Sequence, residues 1–260
     1  MLEATHNKGN GLSAQTPSLA GSHDRRHQRS DPPPEPRDPK CFMLHIGKTG
    51  GTYTQHVFSS IPAARNLVRF LDHRFTLETA LAGFPDEKAV FAIRDPLAIF
   101  ISGFYSRMRQ GQPRHNSPWS PDESVAFAAF QTPNQLAEAL GSDQAELRTR
   151  AEFSMQAIYH VARCLHFYLG SVTLVRQHRS RISFILRQAN LDEDIRRFLE
   201  KYGIPCAHTP IHDDAIRHSN PPLLDRTLSP TAVANLTAWY ESDLELYGEC
   251  QALASEINAA

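Results

Sequence analysis

Three glycines, a lysine and two threonines crowd into one short stretch of this chain: His45-Ile46-Gly47-Lys48-Thr49-Gly50-Gly51-Thr52-Tyr53. Residues of these types at this spacing bind an anion. Glycines let the backbone turn tightly and bring several N–H groups onto one charge. Lys48 adds a mobile ammonium, and Thr49 and Thr52 add hydroxyl donors. The apolar residues Phe42, Met43, Leu44 and Ile46 just before it read as a buried strand, and a helix is predicted to start near Gly51. The positive end of that helix points at the same spot, so the whole reads as a phosphate cradle.

A second anion grip lies further along. Lys88 to Ile93 reads as another buried strand, Arg94-Asp95-Pro96 closes it, and a helix follows, with Pro96 suited to its first turn. Ser102 comes eight positions after Arg94, about two helical turns on and on the same face. A guanidinium holds phosphate bidentately and a hydroxyl adds one more donor. Taken alone, Arg94 better fits a salt bridge to Asp95 or a helix carboxylate; paired with the first loop, it fits the phosphate grip.

Gly47-Lys48-Thr49 matches the end of the Walker A loop, G-x-x-x-x-G-K-[ST], but the first glycine of that pattern falls on Phe42. The cradle is too short at its front to wrap a triphosphate, and its extra glycines follow the lysine. That order resembles the 5′-phosphosulfate loop of sulfotransferases that use 3′-phosphoadenosine 5′-phosphosulfate (PAPS). The wording H-I-G-K-T-G-G-T is similar to that of the heparan sulfate 6-O-sulfotransferases, within the 2-O/6-O-like carbohydrate group and its bacterial relatives. Arg94 and Ser102 stand where that family holds the cofactor's 3′-phosphate. Ser183 to Asp194 resembles the family's R-Y-E-N-L-x-x-D segment, with Gln188 and Ala189 in place of its tyrosine and glutamate. Residues 216–220 and 228–247 resemble the C-terminal stretch, where an N-x-S-like loop meets the adenosine. Asn220 matches, but Pro222 stands two positions on.

The resemblance implies an enzyme that passes a sulfuryl group from PAPS to an acceptor hydroxyl, a glycan above all, and leaves the product PAP. Gly47, Lys48, Thr49, Gly50, Gly51, Thr52, Tyr53, Arg94, Ser102 and Asn220 are the cofactor-binding candidates. Lys48 is placed to stabilise the bridging oxygen of the leaving phosphate. No metal is expected, because the group transferred carries less charge than a phosphoryl group. A histidine at the end of the second strand serves as base in carbohydrate-transferring relatives, and His73 holds that place here, with Asp72 and Glu78 as substitutes. His45 is expected to be structural. Arg107, Arg109, Arg114 and His115 are expected either to line the acceptor cleft or to form a solvated basic loop. His208 and His212 have metal-like spacing, but Pro210 between them opposes a helix. Two other readings stay open: a small-molecule kinase and a non-catalytic PAP-binding protein.

These residues need a frame, and the chain supplies one. It has 260 residues, 41% of them hydrophobic, with a net charge of −1, so no global charge draws it to nucleic acid or membrane. No apolar run is long enough to cross a bilayer, and the N-terminus lacks a signal-like apolar region. A cytoplasmic, bacterial setting is the expectation. Cys41, Cys164, Cys206 and Cys250 are far apart and read as free thiols. Residues 1–39 are rich in polar residues and proline and read as a disordered tail ahead of a sulfotransferase domain over 40–260. Strands are predicted over Asn66–Leu71, Ser171–Val175 and Ile182–Leu186. Helices are predicted over 76–82, 122–130, 134–140, 144–168, 192–202 and 230–247, with a loop over 111–121. This alternation predicts an α/β, P-loop-like three-layer fold with a central parallel sheet flanked by helices. Ligands of such sheets bind at the strands' carboxyl ends, where both motifs fall.

Overall fold

The runs Cys41–Leu44 (β1), Val68–Phe70 (β2), Lys88–Ile93 (β3) and Ile182–Arg187 (β4) form one sheet in the order β2-β1-β3-β4, with every neighbouring pair parallel. A computed structural model describes residues 39–113, 115–205 and 224–258. The N-terminal tail, Arg114, Cys206, His208, His212, Asn220 and the rest of the 216–222 segment lie outside the described residues.

Period-two alternation divides the strands between two cores. Phe42, Leu44, Phe91, Ile93 and Ile185 face one side, while Cys41, Met43, Val90, Ala92, Phe184 and Leu186 face the other. On the second side pack α1 (Gly51–Ser60), through Tyr53, Val57 and Phe58, and the helix Leu191–Lys201, through Ile195, Phe198 and Leu199. The larger core, on the first side, takes Ile99, Phe100 and Phe104 of the helix Pro96–Met108 and residues from most of the remaining helices. The chain is therefore an α/β protein with helices on both faces of an all-parallel sheet. In chain order the other helices are α2 (Pro62–Arg65), α3 (Leu77–Gly83), α4 (the Pro96–Met108 helix), α5 (Pro121–Ala129), α6 (Pro133–Ala139), α7 (Ala145–Ala157), α8 (Tyr159–Ala162), α9 (Leu165–Leu169), α10 (Val172–Gln177), α11 (the Leu191–Lys201 helix), α12 (Pro230–Trp239) and α13 (Glu241–Ile257). The described residues contain no helix long and apolar enough to cross a membrane.

The expected strand over Ser171–Val175 is a helix instead. Its β-branched Val172, Thr173 and Val175 favour a strand locally, but the Ser171 hydroxyl accepts from the Leu174 amide and starts a helical turn. The helix expected over 144–168 is three pieces, α7, α8 and α9, interrupted at Ile158 and at Arg163–Cys164. Buried carboxylates satisfy the interrupted backbone: Tyr159 N–H donates to Glu123 at 3.2 Å and His166 N–H donates to Asp243 at 2.6 Å. Likewise 230–247 divides at Tyr240, and its second half runs on to Ile257. The second strand is shorter than Asn66–Leu71. Cys41, Cys164 and Cys250 are free, buried thiols.

The strand order reverses direction between β1 and β3: β2 lies outside β1 on one side, and β4 lies outside β3 on the other. Loops leaving the carboxyl ends of two such strands diverge and open a crevice. The loop after β1 carries Lys48, and Arg94 follows β3 directly.

Candidate functional site

Gly50 is the N-cap of α1 at φ 94, a left-handed conformation that glycine takes without strain. It is also packed closely, since a Cβ there would meet Leu191 Cδ2 at 2.6 Å. The first amide of this helix to bond within it is Thr54 N–H, to Gly50 O at 3.0 Å. The amides of Gly51, Thr52 and Tyr53 thus form the open positive end of a ten-residue helix. Lys48 also takes a positive φ, 65°, at the tip of the turn.

One cavity of about 860 Å³, its open mouth included, gathers Lys48, Gly50, Gly51, Thr52, Tyr53, His73, Arg94 and Ser102. The two motifs are separate in sequence and meet here in space. Arg94 Nη1 donates to the Lys48 carbonyl oxygen at 3.1 Å. The hydroxyls of Thr52 and Ser102 have no hydrogen-bond partner among the described residues and remain available to a ligand. No Asp or Glu is among the described residues lining the cavity. Burial, then Arg94 and Arg109, push the Lys48 ammonium down to about 8. Arg94 is also pushed down, by burial first and Arg226 second. Half-buried cations with no described carboxylate in the cavity lining favour an anion.

Three expected ligands do not turn a side chain to the cavity. The Thr49 hydroxyl is buried and donates to Ile46 O at 2.9 Å, so it fastens the loop and its proton is not offered to an anion. Tyr53 turns its ring into the core beside α11 and donates its hydroxyl to Asp192, leaving its backbone to the cavity. Gly47 is not among the cavity-lining residues and backs onto His160 and Tyr168.

His73 is anchored from behind. Its Nδ1 lies 3.0 Å from the His45 carbonyl, which only accepts, so Nδ1 carries the proton and Nε2 is bare. Burial lowers its pKa, and the His45 carbonyl opposes this in part. The His45 ring packs against it, tilted by 36° with centroids 3.9 Å apart, and fills the place a Gly51 side chain would take. His45 is thus structural while also lining the cavity. Asp72 is no substitute base: Arg74 binds its exposed carboxylate and holds it down to about 2. Glu78 is exposed and away from the cavity.

Arg107 reaches the cavity wall, but its guanidinium is committed. It makes a two-pronged pair with buried Glu123 at 2.5 and 2.6 Å and donates to the carbonyls of Ser117 and Pro118. It therefore holds the loop after α4 in place. His115 and Ser117 of that loop line the cavity, and Arg109 acts on Lys48.

The residue that sequence reasoning missed is His160. It lines the same cavity, its ring centroid 6.2 Å from that of His73. Burial, then Lys48 and His73, hold its pKa well below the ordinary value. Gly103 of α4 makes room for it, since a Cβ there would lie 2.8 Å from the His160 carbonyl oxygen. The Gly103 position beside Ser102 was the one signal in the sequence, and its meaning depends on the packing of α8.

No protein-family model matches the chain, and no curated protein matches it.

Proposed function

We propose that this chain is a sulfotransferase that moves a sulfuryl group from PAPS to a hydroxyl acceptor. One observation carries the reading. Lys48 with the open end of α1, and Arg94 with Ser102, border a single cavity at the strand-order reversal, with no described carboxylate in its lining. A nucleotide charged at both its 5′ and 3′ ends suits two such grips. The cationic lining, the free hydroxyls of Thr52 and Ser102 and the close-packed Gly51 fit such a group. Phe42 opposes the kinase reading: where a triphosphate loop has its first glycine, this chain has a fully buried strand residue.

PAPS supplies an activated sulfur bonded to a phosphate oxygen. His73 Nε2 accepts the acceptor's proton as the acceptor oxygen forms its bond to sulfur. The sulfur–oxygen bond to the phosphate breaks, and its electron pair stays on the phosphate oxygen. Lys48 stabilises that developing charge. The amides of Gly51, Thr52 and Tyr53 orient the 5′-phosphate, and Arg94 and Ser102 the 3′-phosphate. His115 and Ser117 line the cavity beyond the two phosphate grips, and the resemblance points to a glycan as acceptor.

Titration with PAP against ATP and magnesium tests the donor site, and transfer of labelled sulfate from PAPS to glycans, lipids and phenols tests the reaction. PAP binding with no transfer to any acceptor favours the non-catalytic reading. Binding of ATP and not PAP overturns both.

A further inference from the structure

Behind the loop, two buried polar atoms have no hydrogen-bond partner among the described residues: His160 Nδ1 and the Tyr168 hydroxyl. They border one spot, since a Cβ on Gly47 would lie 3.5 Å from the first and 3.6 Å from the second. Buried polar atoms are nearly always paired, directly or through ordered water, so this juxtaposition needs a cause.

Proton counting supplies one. His160 is held neutral, so its ring carries one proton. Burial pushes the Tyr168 phenol up to about 12, so it keeps its proton. The Gly47 amide faces the Tyr168 oxygen without completing a hydrogen bond to it. The phenol proton therefore needs an acceptor, and the unsatisfied one bordering that spot is His160 Nδ1. Accepting at Nδ1 puts the ring proton on Nε2. Nδ1 is sealed from solvent, so Nε2 is the nitrogen the cavity meets.

His73 is wired the opposite way. Its Nδ1–H is spent on the His45 carbonyl, and its Nε2 is bare. Two imidazoles thus face one cavity, an acceptor and a donor. His160 lines the same cavity as Lys48 and His73, the proposed leaving-group and acceptor ends of the reaction, with its ring centroid 6.2 Å from that of His73. His160 therefore borders the line along which the sulfuryl group travels.

We propose that His160 is a second catalytic histidine, donating from Nε2–H to an oxygen of the sulfuryl group in transit, and that Tyr168 is the positioning residue that fixes this proton. The inference rests on the sulfuryl-transfer reading. A donor at that place keeps the group in line while it belongs to neither oxygen.

PAP lacks the sulfuryl group, so the ratio of PAPS to PAP affinity, measured without acceptor, isolates the contact. His160→Ala is expected to weaken PAPS about tenfold and to leave PAP affinity unchanged. His160→Gln, which keeps an N–H donor, should recover part of the loss. Tyr168→Phe should lower the ratio by less. Nitrogen NMR of the wild-type protein should show the His160 proton on Nε2, and in Tyr168→Phe that preference should weaken. Equal loss of PAP and PAPS in His160→Ala, no loss of either, or a wild-type proton on Nδ1 overturns the proposal. Failure of the wild type to bind PAP overturns the sulfotransferase reading and the sulfuryl contact with it, while the NMR result still decides the link between Tyr168 and His160.

Discussion

Arg94 reaches back from the end of β3 and donates to the carbonyl of Lys48, 3.1 Å away, at the tip of the loop after β1. The bond ties one anion grip to the backbone of the other, at a residue whose φ of 65° is uncommon outside glycine. Arg94 has two duties under this reading: holding a 3′-phosphate and holding Lys48 in position. Arg94→Ala should therefore weaken a ligand without a 3′-phosphate as well as one with it. We expect a loss of tenfold or more for PAP, in line with about 1.5–3 kcal/mol for a hydrogen bond to a charged group, and a smaller but measurable loss for AMP. Calorimetry with both ligands checks this, and unchanged AMP affinity would leave Arg94 as a phosphate ligand alone.

Lys48 is destabilising when no anion is bound. Its folded pKa of about 8 lies below the ordinary 10.5, so the unfolded chain binds the proton more tightly between those values. Stability from this group is therefore missing below pH 8 and is gained as pH rises from 8 to 10.5, by up to about 3 kcal/mol. Lys48→Met should raise the melting temperature of the ligand-free protein at pH 7 and abolish transfer. Thermal melts with and without PAP test this: PAP should stabilise the wild type more than the variant.

Under the proposed reading, the pH dependence of transfer follows from two groups. His73 must be unprotonated, and burial lowers its pKa, so the acid limb of kcat/KM should lie below 6.5. Lys48 must be protonated, so the alkaline limb should lie near 8. In kcat, measured with donor bound, the alkaline limb should move up, because phosphate charge favours the ammonium. A kcat/KM that keeps rising past pH 9 would remove Lys48 from its role.

Gly103→Ala is expected to push α8 away from α4, since the new methyl lies 2.8 Å from the His160 carbonyl oxygen. A cost of about 1–3 kcal/mol is typical of such overpacking. Transfer should fall more than PAP affinity does, because His160 moves while Lys48 and Arg94 remain. Equal losses would mean that the clash spreads through the whole site.

Breaking the Arg107–Glu123 pair should be costly, because both side chains are nearly buried, at 10% and 4% exposure. Glu123→Gln leaves a buried guanidinium without its counter-charge and should destabilise the fold by about 3–5 kcal/mol. Denaturant unfolding measures this, and a change under 1 kcal/mol would show that water replaces the carboxylate.

The parts legible in the sequence are those written locally. β1 and β3 are apolar runs followed by the Gly47–Lys48 turn and by Arg94, and a parallel sheet places such ends on one side. Capped by Thr76, Ser120 and Thr132, α3, α5 and α6 begin within a residue of the expected starts. His73 could be found because it follows a strand. His160 could not: it lies in a helical pattern broken by Glu123, whose carboxylate takes the Tyr159 amide from another part of the chain. Arg107 left two readings open in the sequence, cleft lining or solvated loop, because its partner Glu123 opens a different helix. In each miss, a buried group distant in sequence overrode the local preference.

A recess walled by ammonium and guanidinium groups, with no described acid among them, does not discriminate before its true occupant arrives. Sulfate, phosphate and citrate from ordinary buffers are expected to lodge there and raise the melting point, and under the sulfotransferase reading to suppress transfer as well. The choice of buffer anion is thus part of any assay of this protein, and chloride at low concentration is the fair starting condition.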